Sequence, residues 1–194
     1  MNYLAHLFLA QPNSLSLSGN LMGDFTKGVN LASLPKPIMR GIENHRFVDK
    51  FTDNHPEVRA LKPLLSDKRR RFYAIISDVV FDHFLVNHWQ QFSAQSFTQF
   101  SQYSYRQLEL SVDLMPEKMR YMVERMIAQD WLSSYADIAN TGRAIDSISK
   151  RIRFDNHLAG AIVEVEQHYR QYEQVFLTFF PQLVIQVKKQ NIEL

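Results

Sequence analysis

Apolar residues return at helical intervals along most of this chain. Between positions 156 and 180, Leu158, Ile162, Val165, Tyr169, Tyr172 and Phe176 recur every three or four residues, which is one buried helix stripe. A second stripe, Phe72, Ile75, Ile76, Val79, Val80 and Phe84, predicts a helix over 67–90. Pro35 and Pro37 precede a helix from about Ile38 to Asp53, since Pro in a first turn costs no hydrogen bond. Asn54 with Glu57 reads as a capping box that opens another helix, with Pro56 in its first turn. Further helices are expected near 96–112, 116–128 and 131–152, and a last one from Asn156 to Phe180, broken or kinked at Pro181. The serine-rich residues 11–20 read as a loop that leads into the short segment LMGDF. The expected fold class is all-α: one helical bundle spanning 1–194.

Composition supports this. Six glycines make up about 3% of the chain against a usual ~7%, favouring long helices over a turn-rich β fold. Hydrophobic residues at 45% and charged residues at 22% are those of a globular domain with a full core. Cysteine is absent, so disulfides, thiolate ligands and cysteine nucleophiles are excluded; this suits a reducing cytoplasm, the expected location. The N-terminal MNYLAHLFLAQ lacks the basic start of a secretory signal, and no run approaches the ~18 apolar residues of a membrane span. Net charge is +2, too mild to imply nucleic acid. The basic residues do cluster, tightly at Lys68, Arg69, Arg70 and Arg71 and loosely at Arg143, Lys150, Arg151 and Arg153. Such runs are commonly solvated helix ends, and alternatively a landing surface for an acidic partner.

The chemistry is concentrated early. Five of seven histidines and six of eleven aspartates lie in the first 90 residues. Ile38, Ile42, His45 and Asp49 share one helix face, which turns from apolar to ionisable. His83 falls within the second stripe, with Asp82 at its edge and Asp78 one turn earlier. Asp53 reads as a surface or capping residue. Asp24 sits in a Gly-flanked segment between apolar neighbours, and His6, in LAHLFL, is open between a core, supporting or ligand role. Imidazole and carboxylate without thiolate suit Mn²⁺, Fe²⁺, Mg²⁺ or Zn²⁺. Walker, HExxH and G-x-S-x-G patterns are absent, which leaves metal-assisted hydrolysis.

The segments MNYLAHLFLA, LSGNLMGDFTKG, IENHRFVDKFTDNHPEV and DVVFDHFLVNHW resemble the acyl carrier protein phosphodiesterases, with weaker support from DWLSSYADI and FLTFFPQL. The resemblance implies a helical fold, a divergent branch of the HD phosphohydrolases. It implies release of 4′-phosphopantetheine from holo-acyl carrier protein, with manganese as the metal. It carries Asp24, His45, Asp78, Asp82 and His83 into the site; with His6 added, the expected catalytic set is Asp24, His45, Asp78 and His6 and the expected metal set Asp24, His45, Asp82 and His83. The His-Asp doublet of HD proteins is absent; the adjacent pair here is Asp82-His83, in reverse order. The metal is expected between the 38–53 and 67–90 helices and the segment carrying Asp24. Because acyl carrier proteins are acidic, Lys68–Arg71 becomes the expected docking surface. Two other readings are an HD-type hydrolase of a nucleotide phosphoester and a non-catalytic helical binding module.

Overall fold

The computed structural model describes residues 1–194, folded into eleven α-helices joined by short 3-10 turns, with no strand. The central element is α5 (Tyr73–Asn87), buried almost all round: Ile76, Val79, Val80, Phe81, Phe84 and Leu85 are inaccessible, as are Asp82 and His83. A helix apolar on every face belongs in the interior. Around it pack α1 (Tyr3–Phe8), α9 (Ile138–Arg151) and α11 (Tyr169–Gln190). Phe81 and Phe84 of α5 meet Phe176 and Phe179 of α11 at centroid separations of 5.6–5.9 Å, the aromatic centre of the core. No helix is long and apolar enough to cross a membrane.

Several boundaries differ from the sequence expectation. Residues 11–20 are largely helical: α2 spans Ser14–Met22, capped by the Asn13 side chain accepting from the Ser16 amide. Its Ser16 and Ser18 are buried, and Ser18 and Ser111 hydroxyls bond each other at 2.6 Å. Asn54 opens no capping box, because its side chain donates back to the Lys50 carbonyl and so closes α3 (Lys36–Asn54). The element that follows, α4, is only Pro56–Arg59. The expected 67–90 helix is a 3-10 turn at Arg70–Phe72, then α5, then a second turn at Trp89–Gln91. The 131–152 region divides into α8 (Trp131–Ser134) and α9, where the Asp137 side chain accepts from the Ala139 and Asn140 amides. The 156–180 helix divides into α10 (Ile162–Gln167) and α11, and α11 runs on through Pro181. Buried Phe179, Phe180 and Leu183 on both sides of the proline anchor that stretch. The remaining helices, α6 (Phe97–Glu109) and α7 (Glu117–Ala128), stand close to their expected places.

The α2–α3 pair positions His45 and the turn that carries Asp24. Gly19 and Gly41 face each other there: a Cβ on Gly41 would lie 2.8 Å from the Gly19 Cα. Only glycine allows that approach, which brings the end of α2 and the following turn over the middle of α3.

Candidate metal centre

His45 projects from α3 towards the 3-10 turn Gly23–Phe25, which carries Asp24. Its Nδ1 lies 2.7 Å from the Asn20 carbonyl, so Nδ1 carries a proton and donates it. Nε2 then faces carboxylate oxygens of Asp49 at 3.0 Å and Asp24 at 3.5 Å. A lone pair aimed at two carboxylates is repulsive unless a cation sits between them, whether a proton or a metal ion. His6 of α1 stacks on His45 with ring centroids 3.8 Å apart and 16° between planes, and its Nε2 lies 3.2 Å from Asp49. His6 Nδ1 is buried without a partner. Ligand atoms of His6, His45 and Asp49 all fall within 4.8 Å of one another.

Gly23 makes this arrangement possible. A side chain there would occupy the space of the His45 ring. Asn20 is fixed in turn: its side-chain amide donates to Glu193 at 2.7 Å, and Asn44 donates to its side-chain Oδ1 at 2.9 Å. Glu193 also accepts from the Gln11 amide and the Ser16 hydroxyl, forming a clasp across the start of α2.

The electrostatics follow from this geometry. Burial pushes the His45 pKa down, but its bonds to Asp24 and Asp49 outweigh that and raise it to about 9. Burial, with the neighbouring His45, lowers His6 to about 4, so the stacked pair carries a single positive charge. Burial tends to raise Asp49 and Asp24, yet the histidines hold both below the usual carboxylate range. The Met1 amine donates to Asp78 at 2.7 Å and Asp49 at 3.2 Å, bordering the cluster with a further cation.

The expected site residues divide. Asp24, His45 and His6 come together, and Asp49 joins them. Asp78 stands at the border, bound to the Met1 amine; burial raises its pKa to about 6 against the pull of that amine. Asp82 and His83 are engaged elsewhere. Asp82 accepts from the Leu4 amide at 2.8 Å and the Ala5 amide at 3.0 Å, capping α1 from below. His83 Nδ1 lies 2.8 Å from the Tyr135 carbonyl and Nε2 2.9 Å from the Tyr169 hydroxyl. Consecutive residues on a helix point about 100° apart, so Asp82 and His83 reach different neighbours. Asp49 was legible as the i+4 neighbour of His45 but stood outside the expected metal set; Gly23 and Asn20 carried no sequence signal beyond their closeness to Asp24.

The basic run Lys68–Arg71 is partly structural. Arg69 donates to the His157 and Ala159 carbonyls and to Glu164, tying 157–164 to the body. Arg71 donates to the Asp155 carbonyl and covers the Phe72 ring. Arg70 pairs with exposed Asp67, which leaves Lys68 as the solvated cation of the four.

The donor set suits a divalent ion. It offers two imidazoles and two carboxylates, no thiolate, and an orphaned buried ring nitrogen on His6.

The family model for acyl carrier protein phosphodiesterase matches residues 1–183. A protein of that name from Serratia proteamaculans is 37% identical over 193 residues, covering 99% of this chain and 100% of the relative. Those from Pectobacterium atrosepticum and Escherichia coli O6:H1 are 35% and 33% identical at the same coverage. No solved structure gives a significant match, so kinship with the HD hydrolases rests on the sequence resemblance alone. With full-length relatives that share one description, the chain belongs to the acyl carrier protein phosphodiesterase family.

Proposed function

We propose that this chain hydrolyses the phosphodiester joining 4′-phosphopantetheine to the serine of holo-acyl carrier protein, at the cluster of Asp24, His45, Asp49 and His6. The observation that carries this is His45: its Nδ1 is committed to the Asn20 carbonyl, and its Nε2 faces two carboxylates. His45, Asp49 and Asp24 would hold a divalent metal, Mn²⁺ in the first instance, with a ring nitrogen of His6 completing the set. The metal, when bound, supplies Lewis-acid neutralisation of charge on the phosphoryl oxygens.

The chain's own groups do the rest. Asp24 is 55% exposed and ionised, the cluster residue open to an incoming phosphodiester, and its carboxylate orients the attacking water, whose proton ends on the serine oxygen. Neutral His6 keeps the stacked pair from doubling its charge, and Asn20 fixes the His45 tautomer. Asp78 with its amine partner supports Asp49 from behind. The oxygen of water bonds to phosphorus, the bond from phosphorus to the serine oxygen breaks, and that oxygen takes a proton. Apo-carrier protein and a free phosphomonoester result.

The test is incubation with holo-acyl carrier protein and Mn²⁺, followed by mass spectrometry of the carrier. Loss of the prosthetic group is expected. Its retention by the wild-type chain, or cleavage undiminished in Asp49→Asn and Asp24→Asn, overturns the proposal.

A further inference from the structure

A cavity of about 550 Å³ opens where the start of α1 meets α7, α8 and α9. Four of its fourteen lining residues are cationic, Arg125, Arg143, Lys150 and Arg151, and none is acidic. Arg143, Lys150 and Arg151 stand at i, i+7 and i+8 on one face of α9, and Arg125 comes from α7. None of the four forms an ion pair within the chain. Lys150 and Arg151 in the last turn of α9 also answer that helix's dipole. The dipole does not account for Arg143 or for Arg125 converging from another helix. Unpaired like charges lining a concavity repel one another until an anion enters.

The remaining walls are amphipathic. Tyr3 and Trp131 stack with centroids 6.5 Å apart, and the Asn2 amide donates to the Tyr135 hydroxyl at 2.6 Å. The volume lies within the ~300–1,000 Å³ of small-molecule sites, so a folded partner could insert only a side chain or an appended group. The cavity also borders the metal centre. Asn2 and Tyr3 line it, while Met1, one residue earlier, binds Asp49 and Asp78. Burial raises the Tyr3 phenol, Arg151 pulls it down and Asp24 pushes it up, so both charges act at this one side chain.

We propose that this cavity is an anion pocket for a phosphorylated small molecule, and that it receives the free arm as product, its phosphomonoester having left the metal centre after cleavage. The second half rests on the function proposed above. The cations hold the phosphate, the Tyr3–Trp131 wall covers the aliphatic part, and the polar groups of Asn2 and Asn140 face the amides.

Calorimetric titration of the full-length chain in chelator tests this, because it excludes phosphate binding through a metal. The titrants are 4′-phosphopantetheine, pantetheine without phosphate, and apo-acyl carrier protein. Wild type should bind 4′-phosphopantetheine and bind pantetheine roughly tenfold more weakly or worse, as loss of a charge-assisted hydrogen bond requires. Arg143→Gln with Arg151→Gln should weaken 4′-phosphopantetheine roughly hundredfold, two such bonds being lost. Ser147→Glu, which adds a negative charge on the same face and leaves both arginines in place, should do likewise if the double variant folds poorly. No binding by wild type, equal affinity for pantetheine, or unaltered affinity in both folded variants overturns the pocket. Variants that lose apo-carrier protein but keep the free arm would assign the cavity to protein docking and overturn the proposal too. Pocket binding without cleavage of holo-carrier protein sinks the function and spares the pocket; cleavage with unchanged arm affinity in the variants does the reverse.

Discussion

Asp82→Ala separates two roles for a buried carboxylate. In the structure Asp82 caps the first turn of α1, satisfying the Leu4 and Ala5 amides in a fully inaccessible setting. Removing it leaves two buried donors without partners, each costing ~1–3 kcal/mol, or about 2–6 kcal/mol together. Part of this is offset, because the ionised carboxylate is itself desolvated: burial raises its pKa to about 7 against the pull of the two amides. A net loss of about 2–4 kcal/mol lowers the melting temperature of a domain of this size by roughly 4–16 °C. Thermal denaturation followed by circular dichroism in chelator measures it, with a Mn²⁺ titration of the same variant alongside. The expected outcome is a destabilised chain that still gains stability from Mn²⁺, though less because His6 rides on α1. If metal-free Asp82→Ala melts at or above wild type and no longer responds to Mn²⁺, Asp82 is a ligand and the capping argument is wrong.

The same residue sets a pH dependence. Its folded pKa of about 7 lies above its ordinary 3.8, so its contribution is full below about pH 4 and is lost as pH rises through 7. Metal-free wild type should therefore lose stability relative to Asp82→Asn across that window, and parallel curves would contradict the raised pKa. Gly23→Ala should displace the His45 ring and cut both Mn²⁺ affinity and turnover, the latter roughly hundredfold, while circular dichroism stays native. Wild-type Mn²⁺ affinity in that variant would remove Gly23 from the site. Arg69→Ala should cost about 1–3 kcal/mol by freeing residues 157–164 and leave the KM for carrier protein unchanged in the folded fraction. A raised KM at unchanged stability would return the Lys68–Arg71 run to docking.

Much of the helical scaffold was legible because burial repeats at the helical period. The stripe through α10 and α11, the existence of α3 behind its prolines and the apolar wheel of α5 all follow from side-chain spacing. Lengths were less so, since a cap such as Asp137 ends one helix and starts another without disturbing the period. The serines of α2 were misread because their hydroxyls find partners in other segments, as Ser18 does in Ser111. At the site, one helix face gave His45 with Asp49, and the Gly-flanked segment gave Asp24. His6 stays open and Asp82 is expected at the metal for one reason: a buried histidine and a buried aspartate look alike in sequence whether they meet a metal or a backbone amide. Which one they meet depends on contacts such as Asp82 to Leu4, 78 positions apart.

The Glu193 clasp bears on the order in which this molecule becomes whole. The Asn20 amide finds its carboxylate 173 positions away, and that same residue presents the carbonyl which sets the His45 tautomer. Contacts of such separation demand costly loop closure and form late. As the chain emerges from a ribosome, α1 to α3 can pair while the clasp is still missing, with Asn20, Ser16 and the Gln11 amide waiting for it. A segment made early is thereby tied to one made much later, and a chain in which Glu193 has not yet docked holds His45 and His6 in a looser frame.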